Sequence, residues 1–168
     1  MYAAKGFALA LLGLTAACAS GGTAASSSPA EPAIQVQAAA LEHVFYNNDS
    51  PLGTSAGAYC VGVGTGLLHL DPPPSLLRTL ENENPRVTRL SNCVRVASRT
   101  AGWEVIESLS HEPALAFLVE EPSFEDADTA RVYVEYIQDP TYATGYDCRL
   151  ERTDEGWEVQ HCNAGFPR

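Results

Sequence analysis

A serine framed by glycines is the first residue whose type and spacing could do chemistry. Residues Gly53-Thr54-Ser55-Ala56-Gly57 match the G-x-S-x-G pattern, in which a strained turn between a strand and a helix exposes a nucleophilic hydroxyl. Asp139 or Asp147 followed by His161 would supply an acid and a base in the hydrolase order. A proline-containing loop precedes the serine and a strand-like run follows it. We therefore predict a plain loop of small residues and no catalytic serine.

A glycine-rich run follows shortly afterwards. Residues Gly62-Val63-Gly64-Thr65-Gly66 resemble a loop that cradles a phosphate. Such a loop needs a helix to begin at it, so that backbone amides point at the anion. Here the chain continues through Leu67 to Leu70 and then Asp71 with three prolines. The pattern therefore predicts a turn or bulge, and we expect no nucleotide cofactor.

Metal ligands are scattered along the chain. The four histidines are His43, His69, His111 and His161. Only His69-x-Asp71 has the spacing of a ligand pair. The acidic residues Glu125, Asp126 and Asp128 lack the glycine and the spacing of a calcium loop, which favours a solvated turn. We expect no metal.

The amino terminus has the pattern of an export signal. Residues 1–5 form a short segment that carries one lysine. Residues 6–17 form an uncharged run rich in leucine and alanine. As a helix this run reaches only about 18 Å, which is well short of the roughly 30 Å hydrocarbon core of a bilayer. The segment is therefore predicted to be a secretory signal and not a membrane-spanning anchor.

The end of this signal resembles that of bacterial lipoproteins. Leu14-Thr15-Ala16-Ala17-Cys18 matches the small and apolar residues that a lipobox places before its cysteine. The resemblance implies a diacylglyceryl group on the Cys18 thiol, cleavage before Cys18 and acylation of the new amino terminus. The residue after the cysteine is Ala19 and not aspartate. In Gram-negative lipoproteins this implies passage to the outer membrane. The alternative is an A-x-A site at Ala17-Cys18-Ala19, which would release a secreted or periplasmic product beginning at Ser20.

The other four cysteines suit an oxidising compartment. They are Cys60, Cys93, Cys148 and Cys162, an even number, and therefore predict two disulfides. No C-x2-C pair is present, so a zinc site is the weaker interpretation. Three pairings are possible, of which we favour Cys60–Cys93 with Cys148–Cys162.

Charge is unevenly distributed along the chain. The net charge of −11 becomes −12 once the signal and its single lysine are removed, which argues against a nucleic-acid partner. A segment without acids carries the four arginines Arg86, Arg89, Arg95 and Arg99. Residues 104–158 hold fifteen carboxylates against three arginines. The arginines are predicted either to pair with this acidic region or to form a site for an anion or a partner.

Hydrophobic periodicity predicts the elements that position these residues. Residues 1–17 are the signal peptide, residues 18–36 a flexible lipid-anchored linker and residues 37–168 one α+β domain. Ala38, Leu41, Val44 and Phe45 predict a helix over residues 37–47. A second helix is expected to be capped by Asp71, to bury three leucines and to stop at residues 84–85. Strands are predicted at residues 58–63, 93–97, 103–108, 114–120, 131–138, 145–152 and 157–162.

The order of these elements predicts the fold class. Late strands without intervening helices favour a curved, mainly antiparallel sheet, so the predicted fold is α+β with two early helices. The layout is similar to that of cystatin-like and nuclear-transport-factor-like domains, and the similarity extends to layout alone.

The last hairpin permits two registers. Gly156 supplies the residue that a three-residue or a four-residue loop would need. Only the four-residue loop places Tyr146, Cys148 and Leu150 on the face of Trp157 and Val159, so it is favoured. It would leave Cys148 and Cys162 on opposite faces unless a bulge near residues 160–161 turns the strand.

Three functions are compatible with these residues. The leading hypothesis is a non-catalytic outer-membrane lipoprotein whose extracytoplasmic domain binds an envelope protein or a small ligand. One alternative is a small enzyme that uses His161 or His111 with a carboxylate in an apolar pocket. The other is an acidic inhibitor of a basic secreted enzyme such as lysozyme.

Overall fold

The computed structural model describes residues 31–65 and 68–167. The predicted signal peptide, Cys18 and the linker as far as residue 30 lie outside the described residues. Neither helix in the described ranges has the length and apolar character needed to span a bilayer. The described chain forms one α+β domain, which confirms the predicted fold class.

Helix α1, Glu31–Asn47, covers one face of the sheet. The predicted stripe is buried and the helix ends where expected, because the Asn48 side chain donates to the carbonyls of Val44 and Phe45. The predicted start at residue 37 is wrong, since six residues of the expected linker are helical. Pro32 is tolerated in a first helical turn, and the buried Ile34 anchors that turn in the core.

Helix α2, Pro74–Thr79, is shorter than predicted and has a different cap. Its N-cap residue is Pro73, with no side-chain hydrogen bond. The prediction that Asp71 caps this helix is wrong, because the Asp71 carboxylate accepts hydrogen bonds from the Ser91 backbone N–H (2.8 Å) and hydroxyl (2.7 Å). Asp71 therefore ties the start of α2 to the turn at Leu90–Asn92.

The strands have the bounds β1 Ala58–Thr65, β2 Leu68–Leu70, β3 Val87–Arg89, β4 Cys93–Ser98, β5 Gly102–Glu107, β6 Ala114–Val119, β7 Ser123–Phe124, β8 Thr129–Ile137, β9 Ala143–Thr153 and β10 Gly156–Gly165. Seven strands occur close to the predicted ranges, and three short strands, β2, β3 and β7, were not predicted. The main sheet has the order β10-β9-β8-β6-β1-β2, with β3 beside β1 and β7 beside β8. Strands β4 and β5 form a separate two-stranded sheet.

The main sheet is mixed. Strands β8, β9 and β10 form the predicted antiparallel meander, and β6 is antiparallel to β8. Strand β1 is parallel to β6 and to β3, a feature that the expected meander did not include. Between β1 and β6 the chain forms β2, α2, β3 and the β4–β5 hairpin, whereas a meander would join neighbouring strands by short turns.

Aromatic side chains fill the space between α1 and the main sheet. Phe45 of α1 lies with its ring centroid 4.6 Å from both Tyr59 and Phe117, which come from the adjacent strands β1 and β6. Each such ring pair contributes about 0.5–1.5 kcal/mol beyond the burial of its area. This cluster fixes the helix on one face of the sheet and leaves the opposite face for the small hairpin.

The β4–β5 hairpin covers part of that opposite face. The Cys60–Cys93 disulfide joins the start of β4 to β1, and the Val105 N–H donates to the Gln138 carbonyl (3.1 Å) just beyond β8. Val105 is buried with Ala116 and Leu118 of β6 in a second apolar cluster. The domain therefore has three layers: helix, main sheet and hairpin.

The last hairpin has the favoured register. Trp157 lies opposite Arg152, as the four-residue loop requires, and the pairing of Thr153 with Gly156 closes the turn further. The register shifts between Val159 and His161, which is where the bulge was predicted. The second disulfide, Cys148–Cys162, forms as favoured.

Candidate functional site

A cavity of about 220 Å³ lies between the main sheet and the β4–β5 hairpin. We call it the interlayer cavity, and its lining residues are His69, Leu90, Cys93, Val94, Arg95, Val105, Ala116, Leu118 and Ile137. Strands β6 and β8 supply its floor and the hairpin supplies its roof. Seven of the nine lining residues are apolar or disulfide-bonded, which is the composition typical of a small-molecule site.

Arg95 is the residue that departs from the apolar lining. It stands between Cys93 and Ala97 in β4, so its side chain shares the strand face that the Cys60–Cys93 disulfide turns toward the main sheet. Its guanidinium carbon lies 4.5 Å from the ring centroid of Trp103, which supports it by a cation–π contact. Arg95 is exposed, so the interlayer cavity opens to solvent beside a positive charge.

His69 of β2 is the second basic side chain at the interlayer cavity. It pairs with Gly64 of β1 and is only partly exposed. Burial lowers the pKa of the His69 imidazole; Glu120 acts in the opposite direction and Arg95 lowers this pKa further. The histidine is therefore held mostly neutral near pH 7 and can donate or accept a hydrogen bond.

The glycines of the supposed phosphate loop shape this part of the sheet. A methyl group on Gly62 would meet Leu90 Cδ2 at 2.6 Å, so the missing side chain lets Leu90 and Leu118 line the cavity. Gly64 has φ +138°, and a methyl group there would meet the backbone oxygen of Leu68 at 2.0 Å. These two glycines permit close packing within β1, whereas the prediction placed a turn or bulge at residues 62–66. Gly66 lies outside the described residues.

Ser55 is not placed as a nucleophile. It ends a 3-10 turn, Gly53–Ser55, which is followed by β1 and not by a helix. Its hydroxyl donates to the Leu52 carbonyl (2.5 Å). Buried Asp139 accepts from the N–H groups of Thr141 and Tyr142 and so stabilises a turn.

The histidines named for the enzymatic alternative lie apart from the interlayer cavity. His111, in a turn with φ 60°, and His161, beside the bulge of β10, are both exposed. Neither lines the interlayer cavity. The histidine that does so is His69, and within the described ranges no hydrogen bond joins it to a carboxylate. The arrangement that the enzymatic alternative requires of His111 or His161 is thus not found at this cavity.

The acidic turn that contains Glu125, Asp126 and Asp128 forms ion pairs with arginines. Glu125 forms ion pairs with Arg131 and Arg149, and Asp126 accepts a hydrogen bond from the Asp128 N–H. Across residues 31–65 and 68–167 no group of three or more histidine, cysteine or acidic side chains is arranged to hold a metal ion. His69 and Asp71 do not act together, since Asp71 is bound to Ser91.

The arginine-rich segment divides into two kinds of residue. Arg86 pairs with the buried Glu107, its Nη2 lying 3.4 Å from Oε2, which fits the interpretation that the arginines bind the acidic region. In the part of the chain that the structure describes, Arg89, Arg95 and Arg99 form no ion pair of 4 Å or less. Of these three, Arg95 alone lines the interlayer cavity.

A second concave surface is acidic. This acidic cleft, of about 490 Å³, lies between α1, the segment after α2, and β10. Its carboxylates are Glu42, Glu83 and Glu158. Burial and then the charge of Glu83 raise the pKa of Glu42, and the Tyr46 hydroxyl donates to Glu83 Oε2 (2.6 Å). The cleft is suited to a cationic group and differs in this respect from the interlayer cavity.

Comparison with known proteins does not identify a family or a function for this domain. No family model, curated protein or solved structure matches the chain.

Proposed function

We propose that this chain is an outer-membrane lipoprotein whose extracytoplasmic domain binds a small, largely apolar molecule in the interlayer cavity and catalyses no reaction. The anchor would be acyl chains on Cys18, as the lipobox-like residues 14–18 imply. Several acyl chains make such an anchor effectively permanent, whereas one holds a protein only marginally.

The observation that carries the binding function is the interlayer cavity itself. At about 220 Å³ it exceeds the roughly 150 Å³ of an engineered apolar cavity that accepts benzene, but it is smaller than the roughly 300 Å³ or more of sites for drug-sized ligands. The Cys60–Cys93 disulfide fastens its roof to β1, the strand beside the floor strand β6, so the site is largely formed before a ligand arrives. These features support a small ligand held by apolar contacts.

Binding can be tested on the whole mature chain in water. Replacing Cys18→Ser behind an ordinary cleavable signal gives a protein without acyl chains, which we call the soluble mature chain. We expect 3-phenylpropan-1-ol to bind it in a calorimetric titration, and Ala116→Leu to abolish binding because the new side chain fills the cavity floor. The control Ala164→Leu alters an exposed position of β10 and should bind normally. Equal affinity in both variants would refute the proposed site.

The anchor requires a separate measurement. The intact mass of the membrane-extracted protein should correspond to a chain that begins at Cys18 and carries acyl groups. A water-released product that begins at Ser20 without an acyl adduct would show secretion in place of anchoring.

The acidic cleft favours a second candidate function, inhibition of a basic secreted enzyme. Three carboxylates in one concave surface would attract a cationic group of such a partner, most strongly at low salt. The test is lysozyme activity with the soluble mature chain at low and high salt. Inhibition should be lost on changing Glu42, Glu83 and Glu158 to glutamine but kept on changing Glu104, Glu112 and Glu155. Unchanged lysozyme activity at low salt would exclude this enzyme as the partner.

A further inference from the structure

We infer that the ligand of the interlayer cavity is an amphipathic anion: a small apolar body with one carboxylate, which Arg95 binds at the cavity opening. The inference rests on the proposed binding function and specifies its ligand class. Its starting point is that the lining combines a continuous apolar surface with one permanently charged side chain.

Arg95 lies on the face of β4 that turns toward the main sheet. Its neighbours on this face are Cys93, in the disulfide, and Ala97, and its cross-strand partner Val105 is buried. A charged group beside apolar surface is costly unless a counter-charge or water satisfies it. Arg95 is exposed to water and forms no ion pair of 4 Å or less within the described chain, so its guanidinium is available to an anion from outside.

The contact with Trp103 holds this guanidinium in place. The arginine carbon sits 4.5 Å from the ring centroid, and the indole does not consume the N–H donors as a hydrogen-bond acceptor such as a carboxylate would. An arginine fork of this kind binds a carboxylate through two parallel hydrogen bonds, which are stronger than hydrogen bonds between neutral groups. The cation–π contact reduces the conformational entropy lost when the anion binds.

His69 is a second hydrogen-bonding side chain at the same cavity. It lies on β2 whereas Arg95 lies on the hairpin, yet both line the cavity. Burial is the main cause of the lowered pKa of His69; Glu120 raises this pKa and Arg95 lowers it. The neutral imidazole can therefore donate one hydrogen bond to a carboxylate that Arg95 binds. In a chain of net charge −11, the one charged side chain among the described lining residues is positive.

The volume limits the apolar body of the ligand. A cavity of about 220 Å³ accommodates one aromatic ring with a short chain, or a medium-length alkyl chain. The ligand class is therefore an arylalkanoate or a medium-chain carboxylate, with its carboxylate at Arg95 and its apolar body against Leu118 and Ile137.

A matched pair of probes separates the charge from the apolar body. We titrate the soluble mature chain with 3-phenylpropanoate and with 3-phenylpropan-1-ol at pH 7 and low salt. The acid should bind about tenfold tighter or more, as expected for a charge-assisted hydrogen bond. Arg95→Gln should bring the two affinities within about twofold of each other, while the alcohol still binds and so reports an intact cavity. Arg95→Lys should retain part of the preference.

The control is Arg99→Gln, which removes the same charge from the same hairpin at an exposed position outside the cavity. It should leave the preference for the acid unchanged. Equal binding of acid and alcohol to the unmodified chain, or a preference that survives Arg95→Gln, overturns the inference and leaves the proposed binding function standing. Failure of both probes to bind overturns the proposed function and the inference together.

Discussion

Cys162 lies directly opposite Cys148 across β9 and β10 because one residue, Gln160, has no partner on β9. Val159 pairs with Leu150 and His161 pairs with Arg149, so the strand gains one residue between them. Without this bulge the side-chain alternation would place the two cysteines on opposite faces of the sheet. A single unpaired residue thus makes the second disulfide possible.

Deleting Gln160 should leave the Cys148–Cys162 disulfide intact. With the extra residue removed, Val159 directly precedes His161, and a regular register keeps Cys162 opposite Cys148. Alkylation of the unfolded, unreduced chain followed by mass spectrometry should find no free thiol in the deletion variant. Gln160→Ala, which keeps the extra backbone residue, should also retain the bond. Two free thiols in the deletion variant would contradict the pairing in which Gln160 is the unpaired residue.

Removing the Cys60–Cys93 disulfide should both destabilise the domain and weaken ligand binding. The 33-residue separation predicts a loss of about 3–4 kcal/mol in the free energy of unfolding, measured by urea denaturation of Cys60→Ala with Cys93→Ala. The probes should bind more weakly because the cavity roof is no longer fastened to β1.

The matched control is removal of the other disulfide. Cys148→Ala with Cys162→Ala opens a 14-residue loop and should cost about 3 kcal/mol, yet leave probe affinity unchanged because neither cysteine lines the cavity. Equal loss of affinity in the two double variants would contradict the role given to the hairpin roof.

Glu107 should make stability depend on pH. The Ser110 N–H donates to its carboxylate and lowers the pKa of Glu107, against the effect of burial. A carboxyl group with a lowered pKa in the folded state stabilises the protein above its ordinary value of 4.5, and this stabilisation is lost as the pH falls through the folded pKa. Glu107→Gln should therefore destabilise the domain at pH 7 and have a smaller effect at pH 3.

Denaturation of the variant and the unmodified chain across this pH range provides the measurement. Glu104→Gln, on the same strand, is the matched control, because it leaves the hydrogen bonds from Leu109 and Ser110 to Glu107 in place. A destabilisation by Glu107→Gln that is the same at pH 3 as at pH 7 would mean that the charge of Glu107 does not contribute to folding.

Gly64→Ala should be strongly destabilising. A positive φ costs a residue with a side chain about 1–3 kcal/mol, and the added methyl group also collides with the Leu68 carbonyl. Separation of β2 from β1 would displace His69 from the cavity. Gly165→Ala, where no heavy atom lies within 4 Å, should be nearly neutral in thermal unfolding. Similar melting temperatures for the two variants would contradict this assignment.

Alternation of apolar residues was sufficient to predict the local features of the sheet. Because a one-residue slip exchanges the two faces of a strand, the positions of Tyr146, Leu150 and Trp157 determined the register of the last hairpin. The same pattern, together with the even number of cysteines, predicted the bulge and both disulfides. Local periodicity also predicted where α1 ends.

Non-local contacts were beyond this reasoning. Nothing in the sequence shows that β1 and β6 run parallel, since β2, α2, β3 and the β4–β5 hairpin lie between them in the chain. Asp71 had the type and position of a helix cap, but Ser91, twenty residues later, binds it instead. The composition of residues 31–36 suggested a linker because the burial of Ile34 depends on a sheet formed much later in the chain.

The candidate site was recognisable only in part. Arg95 belonged to a segment predicted either to pair with acids or to bind an anion, but no pattern in the sequence distinguished it from Arg89 and Arg99. The interlayer cavity itself joins residues from β2, the hairpin, β6 and β8, which are separated by up to 68 positions. No local pattern connects them.

Methyl-selective NMR of the soluble mature chain titrated with 3-phenylpropanoate tests the central claim most directly. We predict saturable shift changes at the cavity methyl groups of Val105, Leu118 and Ile137, with Leu150 in the core beneath α1 unaffected. The same titration of Arg95→Gln should require a much higher probe concentration. Saturable changes confined to the acidic cleft at Ala39 and Val159, or none at the cavity residues, would contradict the assignment of this cavity as the binding site.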